Sequence, residues 1–211
     1  MEYQKVIFYF VFLIFEMVCL SEMISLWGFS ARQFLFLTNL GFFYNLVYLL
    51  IQFLTLLNLI YEQKYIINGM FKFGFAISLM IDIMFWTLFI TDPKTLVDPN
   101  VFEPNWFKFS MHGSNLIFLL SEHYFIYNHE DCKSVGVLMC VVFSSIYGTV
   151  LYCCYYLFKV AIYPFLTQFT FVEYLGLALC SSIVLVIGLY VQKFFIPEEK
   201  QEEESINLAD L

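Results

Sequence analysis

Apolar residues run through this chain in long blocks with short polar interruptions. Six segments reach the roughly 20 apolar residues needed to cross a bilayer: about 5–27, 33–60, 68–91, 106–127, 134–158 and 171–196. The interruptions carry turn-forming or charged residues. Gly28–Arg32 ends the first run, and Glu62–Lys64 ends the second. Asp92–Pro104 holds three prolines, Asn128–Lys133 follows the fourth run, and Tyr163 and Pro164 mark the link into the sixth. The runs are long and lack strict alternation, so they predict helices rather than a barrel. The expected fold is all-α, a polytopic membrane bundle of six transmembrane helices over 1–196 with an acidic C-terminal tail over 197–211.

Composition supports the same class. The 211 residues are 61% hydrophobic and 13% charged, whereas soluble domains average about 45–50% apolar and about 25% charged. The net charge of −8 is concentrated in the tail, where PEEKQEEESINLADL holds six acids and one lysine. Such a tail is a solvated end or a contact for protein partners. No basic cluster points to nucleic acid. Cys19, Cys140, Cys153, Cys154 and Cys180 lie in apolar runs, where cysteine behaves as a small hydrophobe. Cys132, at a span edge, is a candidate for palmitoylation. No zinc-ligand spacing is present, and neither metal nor cofactor is expected. The first apolar run lacks a cleavage signature and reads as a retained span.

Six spans place both termini on one side. That side carries Lys5, Lys64, Lys72, Lys133, Lys193 and Lys200, against Arg32, Lys94, Lys108 and Lys159 on the other. The excess of cations puts the termini in the cytosol.

Polar groups inside hydrocarbon are costly, about 2.5–3.5 kcal/mol for a centred charge on insertion scales, so each needs a role. In span four, His112, Asn115 and Glu122 share a helix side. In span two, Thr38, Asn45 and Gln52 recur every seven residues, and Gly41 permits close approach. Interhelical hydrogen bonding accounts for Asn45, Gln52 and Asn115. Glu16 and Asp82 are buried carboxyls, protonated or paired, or markers of a proton or cation path. The links after spans one, three and five share one face, the outer face; Thr38 and His112 each lie five or six residues inside it, roughly 7–9 Å down, near the level of lipid ester groups. A histidine can take the proton of a threonine hydroxyl as it attacks. Ser114 and Ser121 are fallback nucleophiles. No oxyanion donor is identifiable.

Several anchors are similar to the androgen-induced-protein and androgen-dependent TFPI-regulating protein family (Far-17a type). They are Phe85-Trp86 followed by Asp92, Pro104-x-Trp106, Met111-His112, Glu122 ten residues on, then Gly136, Tyr147 and Tyr163-Pro164-Phe165-Leu166, ungapped from Pro104. The resemblance implies a six-span membrane hydrolase of fatty acid esters of hydroxy fatty acids, with a threonine in span two and the histidine in span four. His112 sits on the family histidine. Phe36-Leu37-Thr38 matches the family's aromatic-Leu-Thr, with Asn45 where the family has glutamine. A second register, anchored on Asn39, puts Phe36 at the nucleophile and removes the chemistry. Gly41 and Ala76 depart from the family's Asp/Asn and proline. The same resemblance makes Asn115 and Glu122 supporting groups, and Asp92, Trp106 and Tyr163 the rim of a lipid-accessible mouth. Membrane lipids and a lipid ester are the implied partners, and the endoplasmic reticulum or plasma membrane the implied location.

Two other classes fit the residues. One is an idle accessory subunit of a larger membrane complex, for which the mitochondrial inner membrane is a suitable home. The other is a proton- or ion-coupled transporter built on Glu16 and Asp82.

Overall fold

The computed structural model describes residues 2–28, 34–91, 104–125, 133–160, 162–163, 167 and 169–191. Asp92, Cys132 and the acidic tail lie outside the described residues, and with them the expectations placed on each. Six helices follow one another: α1 (Glu2–Trp27), α2 (Leu37–Leu56), α3 (Lys64–Thr91), α4 (Asn105–Phe125), α5 (Lys133–Tyr156) and α6 (Phe171–Val191). The result is an all-helical polytopic bundle.

Five of these helices are long and apolar enough to cross a membrane, and α4 is not among them. Helix α4 has the length, but Lys108, Ser110, His112, Ser114, Asn115, Glu122 and His123 dilute its apolar character. Several of these residues are buried: Ser114, Asn115, Glu122 and His123 are all at most 9% exposed. The bundle therefore encloses much of the polarity that α4 could not offer to lipid.

Two helix ends have clear local causes. Gly28 follows α1 in the left-handed region (φ 69°) and its N–H bonds Ile24 O, a glycine C-terminal stop. Helix α2 ends at Leu56 rather than near residue 60. Asn58 takes φ 54°, with Asn58 N–H on Thr55 O and Leu59 N–H on Leu54 O. That is a Schellman cap with asparagine in the glycine position.

Helix α3 is the hub. It packs against α2, α4, α5 and α6, while α1 packs on α2 and α4, and α5 on α6. Trp27 at the end of α1 meets Phe107 at the start of α4, and Phe8 near the start of α1 stacks on Phe118, so α1 and α4 are antiparallel. One apolar cluster fills the half near the start of α1, from Tyr9, Tyr48, Phe71, Phe75, Phe118 and Leu119. Cys19, Met23, Phe42, Phe107 and Met111 fill the opposite, outer half. A third cluster joins α3 to α5 and α6 through Ala76, Ile77, Cys140 and Leu185.

Glycine sets two close approaches. At Gly41 a Cβ would run into the Ile81 side chain, as expected of a close-packing position on α2. At Gly188 on α6 it would sit 3.2 Å from the Cα of Ala76 on α3.

Candidate functional site

The buried face of α4 runs Phe107, Met111, Ser114, Asn115, Phe118, Leu119, Glu122, His123. That is the spacing of three and four that a helix needs to keep one side on its neighbours. Two polar rungs cross from this face. At the first, Glu122 Oε1 accepts the Tyr9 hydroxyl at 2.5 Å and the Tyr48 hydroxyl at 2.7 Å. Gln52 Nε2 donates to the Tyr48 oxygen at 2.7 Å and reaches the same carboxylate oxygen at 3.4 Å. Three helices, α1, α2 and α4, thus converge on one fully buried carboxyl group. At the second rung, toward the outer face, Ser114 Oγ donates to Glu16 Oε1 at 3.3 Å. Tyr9 and Glu16 are seven residues apart on α1, and Ser114 and Glu122 eight apart on α4. At about 1.5 Å per residue the rungs stand roughly 10–12 Å apart.

Asn45 on α2 makes a separate link, donating from Nδ2 to Ser78 Oγ on α3 at 2.9 Å. Asn115 is buried, and its Oδ1 has no hydrogen-bond partner.

His112 points elsewhere on α4, toward α3. Its ring lies on Phe85, with centroids 3.8 Å apart and planes 11° from parallel. Its Nδ1 is buried without a hydrogen-bond partner. Trp86 stacks on Phe109 beside it, at 5.6 Å and 7°. Aromatic residues of α3 thus fix the imidazole from one face, where Phe85 itself is 3% exposed.

Thr38 is the second residue of α2 and is half-buried. The N-cap residue of this helix, Phe36, makes no side-chain cap bond. The cap comes instead from distant tyrosines. Tyr163 Oη accepts the Leu37 N–H at 3.1 Å, Tyr147 Oη donates to Leu35 O at 2.9 Å, and the two phenols lie 3.2 Å apart. Tyr163 therefore braces the turn carrying Thr38. Phe36 stands just outside the helix in extended backbone, its ring edge-on to Tyr163 at 6.1 Å. No described hydrogen bond joins Thr38 to His112. Trp106, at the start of α4, is 46% exposed and leans edge-on against Phe107. Ser114 is occupied with Glu16, and Ser121 is half-buried.

Sequence reasoning missed Tyr9, Tyr48 and Ser78 as hydrogen-bonding partners. Helical spacing offered a faint signal: Tyr9 is seven residues before Glu16, and Tyr48 four before Gln52, so each pair shares a face.

The helices and their buried polar rungs define a multi-pass membrane protein. The chain belongs to the FAR-17a/AIG1-like protein family, whose model matches residues 5–196. No curated protein and no solved structure matches it.

Proposed function

We propose that this protein is a lipid-ester hydrolase of the membrane, with Thr38 as nucleophile and His112 as base. The observation that carries the reading is the setting of His112. Phe85 holds its ring, and its Nδ1 is buried with no hydrogen-bond partner among the described residues; the resemblance puts His112 at the family histidine. Base chemistry then falls to Nε2. Family membership supports the reaction class, and the tyrosine brace at Leu37 supports a fixed place for Thr38.

In the proposed mechanism, Thr38 Oγ attacks the ester carbonyl carbon while His112 Nε2 takes the hydroxyl proton. The imidazolium passes that proton to the departing alkoxide, which leaves as the alcohol. Water then attacks the acyl-threonine. His112 takes a proton from the water and returns it to Thr38 as the acid is released. General-base assistance of this kind contributes about 10²–10⁴-fold. Hydrogen bonds between nucleophile and base often tighten only when substrate is bound. Esters of hydroxy fatty acids are the substrate class, Asn115 and Glu122 are supporting groups, and Trp106 lies at the rim. The endoplasmic reticulum or plasma membrane is the location this reading favours.

The transport reading needs Glu16 and Asp82 in one cavity. Glu16 is bonded to Ser114, and the groove lined by Asp82 does not include it.

The test is hydrolysis of a branched ester of a hydroxy fatty acid by purified protein in detergent. Wild type is expected to turn over, and Thr38→Ala and His112→Ala to lose that turnover. Activity that survives Thr38→Ala moves the nucleophile. A folded wild type with no turnover on several lipid esters favours the accessory-subunit reading.

A further inference from the structure

One polar layer of the bundle is left with oxygens that nothing satisfies. Glu16 on α1, Asn45 on α2 and Asn115 on α4 are at most 6% exposed. Each has apolar neighbours three or four positions away on both sides along its own helix. Cys19, Phe42 and Met111 belong to the outer apolar cluster. Phe12, Leu49 and Leu119 pack in the inner one. The three helices pack against one another pairwise, so their polar residues form a single layer between two apolar ones. Glu16 stands eleven residues before the end of α1 at Trp27, about 16 Å from that end. That is near the middle of a hydrocarbon core about 30 Å thick.

Donors and acceptors do not balance in this layer. Ser114 Oγ donates to Glu16 Oε1 at 3.3 Å, and Asn45 Nδ2 donates to Ser78 Oγ at 2.9 Å. Glu16 Oε2, Asn45 Oδ1 and Asn115 Oδ1 are buried with no hydrogen-bond partner among the described residues. No ion pair joins Glu16 to any described residue. Gly74 on α3 keeps space beside Asn45, since a Cβ there would stand 2.9 Å from Asn45 Oδ1. The contrast is with the rung at Glu122, where two phenols and an amide supply donors to one carboxylate oxygen.

Three physical points narrow the occupant. The unsatisfied atoms are carboxylate and amide oxygens, the ligand set of a hard cation. One carboxylate is present in the layer, so a monovalent ion leaves it neutral, whereas a divalent ion leaves a net charge in hydrocarbon. A proton on Glu16 can serve one amide oxygen and strands the other. A water molecule donates two hydrogen bonds and leaves the carboxylate charge uncompensated.

We propose that Glu16, with Ser114 and Asn115 of α4 and Asn45 of α2, forms a buried site for a small monovalent cation of sodium size. Few oxygens are present and the packing at Gly74 is close, which favours sodium over the larger potassium. The apolar layers close the site on both sides, so the ion ties α1 to α2 and α4 rather than crossing the membrane. The site is independent of Thr38 and of ester cleavage.

The test is thermal unfolding of the purified protein in detergent, with sodium chloride replacing choline chloride at fixed ionic strength. Wild type should gain about 3–6 °C at a sodium concentration ten times Kd, along a one-site saturation curve. Potassium should act only at higher concentration. Glu16→Gln should melt independently of sodium. Asn115→Ala should need about tenfold more sodium for the same gain, as loss of one ligand to a charged group implies. Gly176→Ala should keep the wild-type curve. On the unaltered protein, binding should broaden the sodium NMR line, and lithium but not choline should reverse the broadening. Equal melting of wild type in sodium and choline would overturn the proposal and leave Glu16 to a proton. A sodium response that survives Glu16→Gln, a stronger response to calcium than to sodium, or a sodium line that lithium does not restore would overturn it as well.

Discussion

His112 of α4 and Phe85 of α3 lie ring on ring, 3.8 Å between centroids and 11° from parallel. The stack limits rotation of the imidazole about χ2, which decides where its second nitrogen points. Phe85→Leu keeps an apolar group of lesser area and removes the flat support. In the proposed mechanism His112 is the base, and a misplaced base costs rate rather than substrate binding. The expected result is a fall of about ten- to a hundredfold in kcat on a hydroxy fatty acid ester, with KM little changed. Steady-state kinetics on purified protein checks it. A change confined to KM would mean that Phe85 binds substrate instead.

Glu122 is the convergence point of three helices, so its donors should be coupled energetically. Tyr48→Phe removes the Gln52 amide's 2.7 Å acceptor and leaves Glu122 with the Tyr9 bond and the longer 3.4 Å contact from Gln52. Interhelical hydrogen bonds in membranes average about 0.6 kcal/mol and reach about 1.7. A shared carboxylate oxygen places this one toward the upper end. The double-mutant cycle of Tyr48→Phe with Glu122→Gln should show coupling of about 1–2 kcal/mol, measured by reversible unfolding in mixed micelles. Additive effects would make the cluster incidental to stability.

Much of this arrangement was legible in the periodicity, and the reasons for the remainder are physical. The buried side of α4 follows from the spacing of Asn115 and Glu122, and that of α2 from Asn45 and Gln52. Periodicity gives a face but not the neighbour on it. Hence the sequence placed His112, Asn115 and Glu122 on one stripe, while in the bundle His112 turns to Phe85 on α3 and Glu122 to Tyr9 and Tyr48. Fifteen tyrosines hid the two that matter at Glu122. The end of α2 was misplaced because Asn58 sits within an apolar run, and its left-handed backbone leaves no hydropathy trace. The polarity of α4 was legible in His112, Asn115 and Glu122, and the bundle buries Asn115 and Glu122 as a costly polar group in a span requires.

Gly188 marks where α6 comes closest to the hub helix. A Cβ there would stand 3.2 Å from both Cα and Cβ of Ala76, and backbone cannot step aside as a flexible side chain can. Gly188→Val should therefore separate α3 from α6 and cost about 1–3 kcal/mol through overpacking. Gly176→Ala serves as the control, since a Cβ there meets nothing within 4 Å. Thermal unfolding in detergent should show a clear loss for the first and little change for the second.

Tyr163 offers a way to move Thr38 without touching it. Its oxygen accepts the Leu37 N–H at the first turn of α2, where the N-cap Phe36 supplies no side-chain bond. Removing a cap of this kind costs about 0.5–2 kcal/mol. Tyr163→Phe keeps the ring against Phe36 and removes the hydroxyl, which is both the acceptor for Leu37 N–H and the phenolic neighbour of Tyr147. On the proposed mechanism, the variant should melt slightly earlier and lose a larger share of its hydrolysis than of its stability, because the loosened turn carries the proposed nucleophile. Tyr147→Phe, which gives up the bond to Leu35 O but leaves the Leu37 cap in place, should lose stability to a similar degree with a smaller effect on rate. Equal losses of rate in the two variants would show that the tyrosine pair supports the fold in general rather than the placement of Thr38.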